Sequence, residues 1–364
     1  YQAYVHRGER VQFRAGKQHF DWGKADVFQV TDYMERADLR EGLAKDQEDQ
    51  ATGVYALSLK YIWRTWSIQA VFRPLFSQAL YPRQKSFWQI VPDKQSITVP
   101  ESYQASLGEK ITLPVEWQTG SEPSPTWKNS NVALRLGGTT GALDIYLSYY
   151  HGQDNRLGFQ PETTIKNPSS LDPEVTPLRV TPFYRTIDSV GLESAFNISS
   201  IAIRAEANYT PNKWGLRKGE YNQQGESPED ITLTGKLDQE HHIAYTVGVD
   251  AQLWRKHGRI LVEWSQSYFL QNRDSYEKEF ISDLILLRLE DKFWDEHVHV
   301  ELGSMIRPEK RNHIGVVPMA SVTYDFHNGM ELELGTMMFY ANGESLVGLF
   351  DDNDFAYIRG RYTF

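Results

Sequence analysis

The sequence predicts an all-β fold: a closed antiparallel transmembrane up-and-down β-barrel of about 14 to 16 strands, forming one domain over residues 1–364. Three observations predict it. Segment after segment alternates apolar and polar residues at period two, over lengths near the 9–11 residues that a spanning strand needs. The non-apolar face of these segments carries charges of both signs, which no soluble core holds without heavy pairing. Long polar connections and turns of a few residues follow one another in alternation, as in a barrel with short turns at one rim and long loops at the other.

Composition bounds the reading. The chain is 40% hydrophobic and holds no apolar run near 18 residues, so a helical membrane protein is excluded. Twenty Tyr, 17 Phe and 10 Trp make it 13% aromatic, and such residues favour strands and membrane interfaces. The absence of Cys removes disulfides and thiolate metal sites. A net charge of −10 argues against nucleic acid as a partner. The start at Tyr1, without a charged-then-apolar leader, reads as a chain whose signal peptide is gone and whose first strand begins midway.

In order, residues 1–6 read as the end of a strand, turned by residues 7–10 into a strand over 11–20. A polar segment, 23–53, follows. The next hairpin pairs 54–63, with Tyr55, Leu57 and Leu59 on one face, with 67–76 across a turn at Arg64-Thr65. Segment 77–128 is irregular and proline-rich. Residues 131–137 and 142–151 form another hairpin, and after a loop at 152–177 residues 178–196 read as one long strand returned by 200–209. A polar connection, 210–240, leads to a meander over 242–254, 259–271, 280–293, 297–307, 314–326 and 330–341, in which Asn328-Gly329 is a tight-turn signal. Rim parity sets 23–53, 77–128, 152–177 and 210–240 all on the outside. Fourteen strands about 4.8 Å apart and tilted about 40° enclose a backbone diameter of roughly 28 Å, leaving a bore of about 10 Å. Segment 77–128 is the candidate to fold in and narrow it.

With the apolar stripes turned to lipid, the expected pore-lining residues are Arg14, Lys60, Arg73, Arg135, Asp144, Arg204, Glu206, Asp250, Glu263, Arg288, Glu290, Glu301, Arg307, Glu331, Glu333, Arg359 and Arg361. His297, His299 and Glu301 alternate on one strand, and Asp351, Asp352 and Asp354 cluster near the end, but neither has a metal-specific spacing, and no metal or other cofactor is expected. No spacing singles out a nucleophile with its base, so an enzyme is not expected. A rim hydrolase is the weakest reading.

The last strand alternates to the final residue, with Ala356, Ile358, Gly360, Tyr362 and Phe364 on one face and Tyr357, Arg359, Arg361 and Thr363 on the other. This ending resembles the assembly signal of bacterial outer-membrane barrels, which implies that Tyr362 and Phe364 are read by the barrel assembly machinery. Gly16-Lys17-Gln18, running on to Trp22-Gly23, with Thr31-Asp32-Tyr33 and Asp38-Leu39-Arg40 beyond, resembles a family of Gram-negative outer-membrane barrels. Val190-Gly191-Leu192 and the stretch Arg204 to Tyr209 are similar to it too. Some members accompany exporters of lipid or hydrophobic compounds, and alginate-export barrels and the porins of porin–cytochrome conduits are broadly similar. The loop proline of that family is absent here. The resemblance implies an outer-membrane channel or export conduit for polar or amphipathic solutes. The alternative is a structural sheath around a periplasmic or lumen-filling partner such as a multihaem cytochrome.

Overall fold

The alternating segments form strands in the computed structural model, which describes all residues except 1, 7–8, 43–49, 119, 121–122, 125, 157, 169, 171–172, 226–229, 254–256, 272–274, 278–281, 309–313, 342–346 and 364, with only the backbone of 2–6 and 9. The strands are β1 (Gln2–His6), β2 (Glu9–Gln18), β3 (Val54–Trp63), β4 (Trp66–Arg73), β5 (Lys94–Thr98), β6 (Lys110–Trp117), β7 (Asn131–Thr140), β8 (Leu143–Gln153), β9 (Phe159–Lys166), β10 (Glu174–Val175) and β11 (Leu178–Pro182). They continue as β12 (Thr186–Ile198), β13 (Ile201–Gln224), β14 (Ile231–Gln252), β15 (Arg259–Phe269), β16 (Leu284–Phe293), β17 (Val298–Pro308), β18 (Ile314–Asp325), β19 (Met330–Met337), β20 (Tyr340–Ala341) and β21 (Phe355–Tyr362).

The wall is an unbroken antiparallel series: β1, β2, β3, β4, β7, β8, β12, β13, β14, β15, β16, β17, β18, β19, β21. The period-two pattern sets its two faces. Leu59, Leu134, Leu147, Leu192 and Leu334 are 44–54% exposed on one face, while Glu193 and Glu263 on the other are 0% exposed. This inverts a soluble sheet. Among the described residues no pairing joins β1 to β21, and as first and last of an alternating series these two edges run in the same direction.

Strands β5, β6, β9, β10 and β11 form an annexe at the end of the wall where the long connections lie. There β6 pairs in parallel with β11, β11 with β9, and β9 with the far end of β14 through Ile165 and Ile231. Strands β13 and β14, of 24 and 22 residues, are about twice as long as most other strands of the wall, so they carry it on into this annexe. Ile97, Leu113, Val115, Leu178 and Val180 give the annexe its own core.

The expectations for four segments need correction. Segments 77–128 and 152–177 are not irregular loops, since the first holds β5 and β6 and the second β9 and β10. Residues 178–196 are not one strand: Pro182 ends β11, which belongs to the annexe, and the wall resumes at Thr186. Residues 210–240 are not a loop. Pairing continues from Lys213–Glu240 to Gln224–Thr232, with register shifts after Thr210 and Leu216. The stretch is polar in composition, and its β-branched and aromatic residues, Thr210, Trp214, Tyr221, Ile231, Thr232 and Thr234, supply the strand preference.

Candidate functional site: a carboxylate-held loop in the charged interior

The connection between β2 and β3 turns inward. Its neck is closed by Glu35, whose carboxylate accepts the backbone N–H groups of Phe20 and, at 3.1 Å, Gly53. Residues 23–36, expected outside as part of 23–53, instead lie with 20–22 across the inward face of the wall.

Three carboxylates from three wall strands receive the backbone of this segment. Glu206 of β13 accepts from Ala25 at 2.6 Å, Val30 at 3.0 Å and Thr31 at 3.2 Å, from the Thr31 hydroxyl at 2.9 Å, and from the Lys24 backbone. Glu263 of β15 accepts from Asp26 at 2.8 Å, Val27 at 3.2 Å, and Phe28. Glu193 of β12 accepts from Gly23 at 3.0 Å and is paired with Arg135. A buried carboxylate is costly unless its lone pairs are filled, and a loop backbone is costly to bury without acceptors; each answers the other. Because Lys24 and Thr31 meet the same carboxylate, the segment is folded back on itself. It nevertheless joins a buried cluster with Val54 and Ala56 of β3 through Trp22, and one with Met337 of β19 through Phe28. Flat, strands that far apart in the series would be separated by roughly 50 Å at 4.8 Å per strand, so the sheet curls around the loop.

The Trp-Gly pair has a physical role here. Gly23 has φ +116°, and a Cβ on it would stand 2.8 Å from a Glu206 carboxylate oxygen. Trp22 is buried, with the Arg135 guanidinium 5.8 Å from its ring. On the wall, a Cβ on Gly191 would meet Ser148 and, at 3.0 Å, the Thr31 side chain.

Charge pairing extends the grip. Asp26 of the loop accepts from Arg204 at 2.5 Å, and Arg204 and Arg259 share Asp250. Lys24 pairs with Asp144 at 3.1 Å. Tyr33 stacks on Tyr150 at 5.2 Å and donates to Asn208 at 3.0 Å.

The expected pore-lining residues all fall on the face opposite the exposed apolar stripe, as their register partners require. Their surroundings differ. Glu206, Glu263, Arg73 and Arg307 are buried under other parts of the chain, and Arg73 is spent on the carbonyls of Met34, Leu75 and Ser77. Arg288 lies 2.8 Å from Glu290, Arg359 3.4 Å from Glu333, and Arg361 3.9 Å from Glu331. Glu301 stands opposite Glu290 in register. Arg14 and Lys60 border an open polar cavity with Arg135. Sequence reasoning missed Glu193, although its alternation with Val190, Leu192 and Phe196 carried the signal. It also missed Asp26 and Glu35, which no strand pattern marks.

Segment 77–128, the expected constriction, contributes Trp88 to the interior. Trp88 packs with Phe28, Phe339 and Phe350, and Phe355 of β21 lies 5.5 Å away. Most of the rest of that segment builds the annexe. A cavity of about 260 Å³ lies between the annexe and the extended part of β13, bordered by Phe159, Trp214, Phe269 and Lys213, which pairs with Asp154 at 2.5 Å.

His297 does not join His299 and Glu301. It stacks on His327 at 4.0 Å, and its Nδ1 is 2.6 Å from the Asp325 carbonyl. Asp351 and Asp354 accept from Ala341 at 3.2 Å and Phe339 at 2.7 Å, so they fasten a loop. Tyr362 is exposed on the apolar face of β21, while Phe364 lies outside the described residues.

No family model matches the chain, and no curated protein matches it. Among solved structures it is similar to mutants of a porin from Rh. blastica. One shares 12% identity at a TM-score of 0.43, another 11% at 0.43, each covering 100% of this chain and 87% of the porin chain. A triple mutant of the Rhodopseudomonas blastica porin shares 10% at 0.42 over the same spans.

Proposed function

We propose that the chain is a passive channel of the bacterial outer membrane, a closed barrel whose bore is narrowed by residues 20–36. One observation carries the reading: a curled antiparallel wall wears its apolar residues outside and its charges inside, the arrangement that a lipid surround and a hydrated interior demand. Arg, Lys, Asp and Glu around the loop would set the local potential felt by a passing solute, as in other filters built from charged side chains. The outer-membrane address belongs to the same proposal and is supported by the same inverted wall. Lipid and the barrel assembly machinery are its proposed partners.

Closure completes the proposal. The β1 and β21 edges, which run in the same direction, are the two that a closed barrel would bring together. The sheath alternative loses its motive, because the chain's own Trp22, Phe28 and Trp88 occupy interior space that a haem protein would need.

Planar-bilayer recording tests the channel. Reconstituted protein should conduct in discrete steps, and deletion of the inward segment should enlarge them. A membrane that stays sealed with both forms would overturn the reading.

A further inference from the structure

We propose that the inner wall at β2, β3, β4 and β7 holds a binding site for a small carboxylate- or phosphate-bearing solute. The site deepens the channel reading and rests on it for its role in passage.

The wall lines up its polar side chains by register. Gln12 stands opposite Lys60, Lys60 opposite Gln69, and Gln69 opposite Arg135, one rung of neighbours about 4.8 Å apart. One step along the inward face, about 7 Å away, Arg14 stands opposite Ser58. These residues border an open cavity of about 180 Å³ that is also lined by His19, Phe20, Asp21 and Trp22 of the loop neck. That volume suits a dicarboxylate or a phosphate with its first waters.

The charge balance distinguishes this patch from the rest of the interior. Arg204, Arg259, Arg288, Arg359 and Arg361 each have a carboxylate within 4 Å. Among the described residues Arg14 and Lys60 have none, and Arg135 is held by Glu193. Arg10 adds a further positive charge two residues before Gln12 on the inward face. Asp21 is the one carboxylate in the lining, so the cavity keeps a positive excess. Gln12 and Gln69 supply neutral donors between the cations, which is what a bound anion requires for its remaining lone pairs, while the Ser58 hydroxyl donates to Gln18 at 2.6 Å. An anion there would trade water for charge-assisted hydrogen bonds beside the loop that narrows the bore.

The test uses the full chain in detergent micelles and in bilayers, with succinate and inorganic phosphate as probes. Titration of each probe, followed by Trp fluorescence and calorimetry, should give saturable binding that weakens as salt rises. K60Q combined with R14Q should lower affinity at least about tenfold, the cost of losing one charge-assisted contact. K17Q, which removes a cation from the outward face, should leave it unchanged. Reversal potentials in a salt gradient should favour anions in the parent and lose that preference in the double variant. Binding that is absent, or equal in the parent and the double variant, overturns the site while conductance keeps the channel. Binding that is lost with the two cations in a protein that never conducts keeps the site and overturns the channel.

Discussion

Glu206 and Thr31 are joined twice: one carboxylate oxygen accepts both the backbone N–H, at 3.2 Å, and the hydroxyl of the threonine, at 2.9 Å. The two residues are far apart in sequence, and their junction fixes the inward loop to the wall. E206A should therefore free the loop. Each charge-assisted hydrogen bond lost costs about 1.5–3 kcal/mol, only part of which water restores. The expected outcome is rapid proteolysis within residues 20–36 and larger single-channel steps, with the strand signal in circular dichroism unchanged. Unchanged steps and unchanged protease resistance would contradict the anchoring role.

Gly23 and Gly16 separate two sources of strain. Both have φ near +117°, at +116° and +118°, but a Cβ on Gly16 meets nothing within 4 Å while one on Gly23 meets Glu206 at 2.8 Å. G16A should cost about 1–2 kcal/mol from backbone strain alone. G23A should cost more and also loosen the loop. Thermal unfolding of both variants, with protease mapping, measures the difference.

Asp32 gives the loop a pH dependence. Burial raises its carboxyl from 3.8 to about 8, against the backbone donors of Met34 and Glu35 that favour the charged form. The folded protein therefore binds this proton more tightly than the unfolded chain. The contribution to stability is fully present below about pH 4 and is lost as pH rises towards 8. D32N, which keeps an acceptor for Met34, should flatten that slope and raise the melting temperature most at pH 8. Melting curves between pH 5 and 8.5 decide it.

Adjacent residues on β3 report the two faces of the wall. Leu59 is 51% exposed on the apolar side, and Lys60 follows it on the inward side. In the proposed barrel L59R would set a charge against hydrocarbon, at a cost of about 2–4 kcal/mol near the midplane, and should impair refolding into lipid vesicles. K60R should refold normally. Heat-modifiable gel mobility distinguishes folded from unfolded chains in both.

The strands of the wall were legible because one face had to be apolar and the other polar along every span: Leu57, Leu59, Leu134 and Leu147 announce themselves by alternation. The face assigned to Arg14, Lys60 and Glu263 followed from the same parity. The annexe and the extensions of β13 and β14 that reach it were not legible, because residues such as Thr232, Thr234 and Gln223 are polar and read as loop. Nor was the inward turn of residues 20–36. Its apolar residues, Phe20, Trp22, Phe28, Tyr33 and Met34, follow no period, and its partners are carboxylates far away in sequence.

That distance has a consequence for assembly. The residues that receive Gly23, Ala25 and Asp26 follow them in the chain by 170, 181 and 237 positions. Closing such large chain loops costs entropy before any contact repays it, so docking belongs to the last stage of folding. A nascent wall thus curls with its inner face still bare, and the plug is fitted only once its fastenings exist.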